Sequence, residues 1–402
     1  MKILMVNKFL YPRGGSESYM LSLGEHFEKL GHKVEYFGMY DEKNNVGNSS
    51  SLYTTNMDFH SKGISRFFYP FRIIYSREAK KKIIRVIDNF KPDIIHLNNI
   101  NFQLTPSIIY GAKKRNIPVV QTVHDYQMIC PNHLLYNFSK NEPCEKCVNG
   151  SAINCIKNNC IHNSKVKSIL GVIEAKLYSF LNTYKKVDLY VCPSKFLENK
   201  LLSAKKFYKG KTLTIHNFID KTRFSKTDNN TEAYIVFVGR LSKEKGIDNL
   251  LKTAELLPEY NFVVAGGGPE EDAVKNGENI KFAGFLTGDK LTHIMGSAKL
   301  LILPSVCYEN CPLSILESHC LGVPVITMNK GGMAELVKDK INGTLVTDET
   351  PEGIAGKIRE TLGNEEYYNK LKSNCESEKD NILSVEDYCE ILLKEYERIV
   401  ER

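Results

Sequence analysis

With 402 residues the chain is too long for one ordinary hydrophobic core and suits two domains of roughly 200 residues. Its 42% hydrophobic and 25% charged residues exclude a disordered chain, and no run nears the roughly 18 apolar residues of a membrane span. The net charge of +7 is uneven: residues 1–220 hold 32 Lys+Arg against 17 Asp+Glu (net +15), and the remainder 22 against 30 (net −8).

The opening MKILMVN has too short an apolar run for a signal-peptide core and reads as a first buried strand, so a cytoplasmic protein is expected. Eleven cysteines in that compartment suit free thiols or metal ligands better than disulfides. In chain order, apolar β-branched runs predict strands at Ile3–Val6, Val34–Phe37, Asp93–Leu97, Pro118–Val123, Leu189–Cys192 and Thr212–Ile215. Between the first two, Tyr19, Met20, Leu23, Phe27 and Leu30 recur at helical spacing, with Gly31 where a C-cap would sit. The second half repeats the alternation. Strands are predicted at Tyr234–Val238, Asn261–Ala265, Ile280–Ala283, Leu300–Leu303 and Val323–Thr327, and helices at Ile247–Leu257, Lys290–Ser297, Pro312–Leu321 and Met333–Lys338. Strand and helix alternating this often predict two α/β, doubly wound, Rossmann-like domains with parallel sheets. The boundary is expected near Asn217–Asp228, giving an N-terminal domain 1–217 and a C-terminal domain 218–384. A last helix at about 385–402 is expected to pack back on the first domain.

The candidate chemistry sits where strands end. YIVFVGRLSKEK delivers Arg240 and Lys245 beyond a buried strand, two cations suited to a diphosphate. NFVVAGGGPEED runs a strand into Gly266, Gly267 and Gly268, where a backbone can approach a ligand. LLILPSVCYENCPLSILES places Glu309 in a loop and Glu317 eight positions on, in a helix opening near Pro312. The first amides of that helix, at Leu313 and Ser314, can hold a phosphate, and the two carboxylates can accept sugar hydroxyls. In the first half, Gly14-Gly15 follows the first strand, and PVVQTVHDY ends a strand on His124 and Asp125.

These residues resemble family 4 of the retaining glycosyltransferases, which have the GT-B fold. The resemblance rests on Gly14-Gly15, VHDY at 123–126, HNFID at 216–220, VGRLSKEKGID at 238–248, GGGPE at 266–270, AGF at 283–285 and Glu309-x7-Glu317, in the family's order across about 330 residues. It implies two domains facing a cleft and transfer of a sugar from a UDP- or GDP-type donor to a glycan or lipid-linked glycan, as in bacterial surface polysaccharide synthesis. Implied donor-binding residues are Gly15, Asn217, Arg240, Lys245, Gly267, Phe285, Leu286, Glu309, Asn310, Leu313, Ser314 and Glu317. His124, Glu309, Arg240 and Lys245 are the implied catalytic group, with no cofactor needed for catalysis.

Two segments lie outside that pattern. Cys144-x2-Cys147 and Cys155-x4-Cys160, beside Cys130, have spacings that suit either a structural zinc or free thiols. KGISRFFYPFRIIYSREAKKKIIRVIDNFK at 62–91 mixes aromatics and cations. It reads either as a patch facing an anionic membrane at the inner face of the cell, or as a surface helix Ile73–Phe90 packing Ile83, Ile84 and Ile87 inward. No nucleic-acid recognition motif is visible, and NKFLYPRGGSES lacks the G-x-G-x-x-G of a nicotinamide enzyme. A nucleotide-sugar epimerase of related fold and a non-catalytic nucleotide- or glycan-binding protein are the alternatives.

Overall fold

The computed structural model describes residues 1–56, 69–224 and 233–401. The chain forms two compact units. The first comprises Met1–Ser139, Cys144–His216 and Val385–Arg402; the second comprises Lys140–Pro143 and Asn217–Ser384.

The first unit is built on six parallel strands: β1 (Lys2–Val6), β2 (Lys33–Phe37), β3 (Ile94–Leu97), β4 (Val119–Thr122), β5 (Leu189–Cys192) and β6 (Thr212–Thr214). Their order across the sheet is β2-β1-β3-β4-β5-β6, with Ile3 opposite Val34 on one side and Ile94 on the other. Helices on both faces explain why these strands are covered on both sides rather than alternating between buried and exposed: every residue of β3, β4 and β5 is buried, the polar His96, Gln121 and Thr122 included. Helix α1 (Gly15–Lys29) turns Tyr19, Met20, Leu23 and Phe27 inward.

Sequence periodicity suggests one helix over Ile73–Phe90, and here the structure differs. A short helix Tyr69–Ile74 stops and α2 (Arg77–Phe90) begins anew. Ser76 makes the break, because its hydroxyl accepts from Ala79 N at 3.1 Å as an N-cap while its own N–H donates to Thr105 Oγ1 at 3.1 Å. Ile83 and Ile87 face inward, as their spacing implied, with Ala79, Val86 and Phe90. Further on, α3 (Lys165–Phe180) is capped by Ser164 in the same way.

The second unit holds β7 (Tyr234–Val238), β8 (Asn261–Ala265), β9 (Ile280–Gly284), β10 (Leu300–Leu303), β11 (Val325–Met328) and β12 (Gly343–Val346). All pair in parallel, in the order β9-β8-β7-β10-β11-β12. Chain direction across the sheet reverses between β7 and β10. A sheet with such a reversal opens a crevice beyond its carboxyl ends there, which is where ligands of doubly wound folds bind. Helix α4 (Leu313–Cys320) follows β10.

The last helix, α5 (Val385–Val400), belongs to the first unit and lies against α1. Its tyrosines join a buried polar chain. Tyr388 OH and Thr122 Oγ1 both meet Tyr19 OH, at 2.9 and 3.0 Å, and Thr122 Oγ1 is 2.7 Å from His96 Nε2. Tyr396 closes the chain on His96 Nδ1. Burial holds the His96 imidazole at a pKa of about 3, so it is neutral in the fold.

Candidate functional site

In the second unit the loop after β7 and the loop after β10 are locked together by backbone. Val306 N and Cys307 N both donate to Glu244 O, at 3.0 and 3.1 Å. Gly246, at φ +77°, lies so close to the β10 loop that a Cβ there would stand 1.8 Å from Pro304 O, so only glycine permits the approach. This brings Lys245 and Glu309, 64 positions apart in sequence, within 2.5 Å: Lys245 Nζ donates to Glu309 Oε1, and Ser305 Oγ donates to the same oxygen at 2.7 Å. Burial disfavours the Lys245 charge, but the Glu309 carboxylate, Cys307 and Glu244 together outweigh burial and lift the ammonium above its ordinary value. Gly332 N donates to Glu309 O at 2.7 Å, fixing the loop from the β11 side.

The glycine run divides its work in a way the sequence did not reveal. Gly266, at φ +151°, and Gly268 press against the β7 loop: a Cβ would stand 1.8 Å from Gly239 O and 2.3 Å from Leu241 O, respectively. The two loops exchange backbone hydrogen bonds, Gly239 N to Ala265 O at 3.1 Å and Leu241 N to Gly267 O at 3.0 Å. Only Gly267 of the three has nothing within 4 Å of its would-be Cβ. Two of the glycines therefore pack loop on loop, and the middle one is open to a ligand.

Helix α4 begins after Pro312 with no side chain capping its N-terminus, and Leu313 and Ser314 are half-buried there. Glu317 lies farther along α4, half-buried; burial raises its carboxyl pKa, and the nearby Arg223 guanidinium opposes that. Asn217 anchors the loop before α4, donating from Nδ2 to Cys311 O at 2.9 Å and from its backbone N–H to Cys311 Sγ at 3.3 Å. Its buried Oδ1 has no partner among the described residues. Arg240 is exposed, Asn310 and Leu286 are half-buried, and Phe285 beyond β9 is 72% exposed, a large ring with little covering it. Ser305 and Arg223 are site residues that sequence reading missed. Ser305 sits unremarked inside LLILPSVCYENCPLSILES and Arg223 lies outside the quoted motifs, and only their neighbours Glu309 and Glu317 single them out.

In the first unit the carboxyl ends of β1, β3 and β4 carry a polar network. His124 Nε2 lies 2.9 Å from Asn98 Oδ1, and the ring packs edge-on to Tyr19 with centroids 5.1 Å apart. Burial lowers the His124 pKa to about 4, only partly countered by Asp125, so the ring is neutral near pH 7. Asn101 links Lys8 and Asp125: Lys8 Nζ donates to Asn101 Oδ1 and Asn101 Nδ2 to Asp125 Oδ2, each at 2.9 Å. Gly14 and Gly15 are exposed at the start of α1, beside Ser16, which meets Asn99 Nδ2 at 2.8 Å. The asparagine run of HLNNIN, directly after a strand, is the sequence signal for this network.

The cysteines of the loop after β4 are free thiols, with Cys155 and Cys160 buried in a small cluster with Val172 and with Cys147 packed against it. Among the described residues no group of three or more His, Cys, Asp or Glu side chains is placed to hold a metal ion.

With this geometry in view, the family models match both halves of the chain: "Glycosyltransferase Family 4" over residues 13–223 and "Glycosyl transferases group 1" over residues 218–378. The chain belongs to glycosyltransferase family 4. An uncharacterized 42.6 kDa protein in the cps region of Klebsiella pneumoniae is 26% identical, covering 84% of this chain and 87% of that protein. The O-antigen biosynthesis glycosyltransferase WbnH of Escherichia coli is 28% identical over 52% of this chain and 59% of its own length. Among solved structures, Anabaena HepE in complex with UDP superposes with a TM-score of 0.70 at 17% identity, covering 99% of this chain and all of that one. The fold is thus that of the GT-B glycosyltransferases. Among the described residues, no helix of this family member is long and apolar enough to cross a membrane.

Proposed function

We propose that this glycosyltransferase uses a nucleoside-diphosphate sugar, of UDP or GDP type, and transfers the sugar with retention to a glycan or lipid-linked glycan of a bacterial surface polysaccharide. The observation that carries the reading is the Lys245–Glu309 pair, held beside the uncapped N-terminus of α4 at the reversal point of the second sheet. In this reading Arg240 and Lys245 meet the diphosphate, and the amides at Leu313 and Ser314 take its distal phosphate. Glu317 accepts the ribose hydroxyls and Phe285 lies against the base beside Leu286. Glu309 and Asn310 serve the sugar and its phosphate, and Asn217 and Gly267 line the donor site. In the first unit, His124 serves the sugar and Gly15 the diphosphate or acceptor.

When the glycosidic carbon–oxygen bond to phosphate breaks, the diphosphate gains negative charge and the sugar becomes cationic. Fixed cations and helix amides favour that separated charge over the ground state, and they do so without a metal ion. The acceptor hydroxyl then attacks from the face the phosphate leaves, and its proton passes to the departing phosphate oxygen. The acceptor class rests on the company of relatives: one encoded in a cps region and one named for O-antigen synthesis.

A thermal-shift panel of UDP, GDP, ADP, CMP and NAD tests the donor site. Stabilisation by one nucleoside diphosphate, lost in Glu317→Ala, is the expected result. No shift with any nucleotide at millimolar concentration would refute a nucleotide-sugar donor.

A further inference from the structure

Helix α3 shows an asymmetry that the glycosyl-transfer reading does not use. Ser168, Gly171, Val172, Glu174 and Tyr178 turn into the first unit, and Gly171 lets Ile161 pack so closely that a Cβ would stand 2.4 Å from its Cδ1. The opposite face is also apolar, yet it is uncovered: Val166 is 68% exposed, Ile173 46% and Phe180 83%, with Ile169 between them. Spacings of three, four and seven residues set these four side chains along one side of the helix in a continuous stripe. An exposed apolar stripe of this length on a folded chain marks a surface that meets something else.

The charges around the stripe indicate what it meets. From Ser151 to Val187 the chain has six lysines, Lys157, Lys165, Lys167, Lys176, Lys185 and Lys186, and a single acid, Glu174. Glu174 is buried on the inner face, so its carboxyl is withdrawn from this surface. All six lysines are exposed. A second copy of the chain docking through the same stripe in a two-fold contact would set these lysines against lysines, with no exposed acid from this segment to offset them. A surface that offers hydrocarbon at the centre and negative charge around it matches the pattern.

We propose that α3 is the membrane-docking element of this protein, lying in the plane of an anionic lipid surface. Val166, Ile169, Ile173 and Phe180 insert below the headgroups, and the flanking lysines hold the phosphates. Docking through α3 uses none of the proposed donor-binding residues and is a lipid contact additional to the one the sequence suggests at 62–91. The first part of that segment lies outside the described residues, and in α2 Lys82 is engaged by Glu78 and by Tyr53 O.

Flotation of the full chain with vesicles of phosphatidylcholine alone, or with 30 mol% phosphatidylglycerol, tests this. Binding to the anionic vesicles is expected, at least tenfold weaker with neutral vesicles and weakened again by molar salt. Ile173→Asp and Phe180→Asp, both on exposed positions, each lower anionic binding at least tenfold. Val400→Asp, an exposed apolar site on α5, leaves it unchanged. Equal binding of the two α3 variants and the parent, or no binding by the parent, overturns the proposal. So does a concentration-dependent dimer in light scattering that Ile173→Asp abolishes, which would assign the stripe to a second copy. Retained unfolding temperature in the variants separates a lost surface from a lost fold.

Discussion

Glu174 gives the first unit a pH dependence that can be worked out from its surroundings. The side chain is 3% exposed and accepts one hydrogen bond, from Gln127 Nε2 at 3.2 Å. Burial raises its pKa from the ordinary 4.5 to about 8; the Gln127 hydrogen bond opposes the rise and the Asp125 charge adds to it. In the fold the group is therefore a neutral acid across the physiological range, whereas in the unfolded chain it ionises above pH 4.5. The stability carried by the protonated carboxyl is full below about pH 4.5 and is lost as the pH rises through 8. At about 1.4 kcal/mol per pH unit the whole loss approaches about 5 kcal/mol, with about 1 kcal/mol already gone at pH 5. Glu174→Gln keeps the shape and the acceptor for Gln127 but has no proton to lose. It should stabilise the first unit by about 2 to 5 kcal/mol at pH 8.5 and by less than about 1 kcal/mol at pH 5. For a unit of this size that is roughly 5 to 15 °C in calorimetry at the higher pH. Calorimetric scans of both proteins at the two pH values decide it. An equal shift at both, or destabilisation at pH 8.5, would refute the account of a buried, protonated carboxyl.

The Lys245–Glu309 contact predicts strong non-additivity. Lys245→Met and Glu309→Gln each strip a partner from a mostly covered charge, and the double variant should recover about 1.5 to 3 kcal/mol of their summed loss in urea unfolding of the second unit; strict additivity would show that the two do not act as a pair. Gly246→Ala must adopt a left-handed backbone, costing about 1 to 2 kcal/mol, and must also push Pro304 away. A total loss of about 3 kcal/mol or more is expected, whereas Gly267→Ala, with open space, should leave folding intact and weaken nucleoside diphosphate binding. Denaturation midpoints within experimental error of the parent for Gly246→Ala would refute the loop contact. A structural zinc on Cys144, Cys147, Cys155 and Cys160 is a proposal from spacing alone. It calls for near one zinc per chain after chelator washing, and a stoichiometry near zero excludes it.

Much of the fold was legible in the sequence because buried parallel strands are apolar on both faces and announce themselves as runs. Tyr234–Val238, Asn261–Ala265 and Leu300–Leu303 coincide residue for residue with the strands formed. The loops that carry Arg240, Lys245, Glu309 and Gly267 were legible for a related reason: side chains and glycines placed directly after such runs stand at the carboxyl edge of a sheet. Gly343–Val346 was not anticipated, since four residues opening on glycine leave little pattern to read.

What the sequence determined by itself was the alternation of elements, the two-sheet architecture and the placing of candidate residues at strand ends, all of which depend on local order and spacing. The tertiary structure alone decided which distant groups meet. Lys245 and Glu309 share a proton donor–acceptor contact because β7 and β10 are neighbours in the sheet, which their separation in sequence conceals. Gly266 and Gly268 are spent on a neighbouring loop and Gly267 is not, because only the packed backbone says what a Cβ would strike. Helix α3 reads as apolar on both sides, and a helix of that pattern would ordinarily be buried all round. Only the assembled unit shows that one side is covered and the other, rimmed with lysine, faces outward.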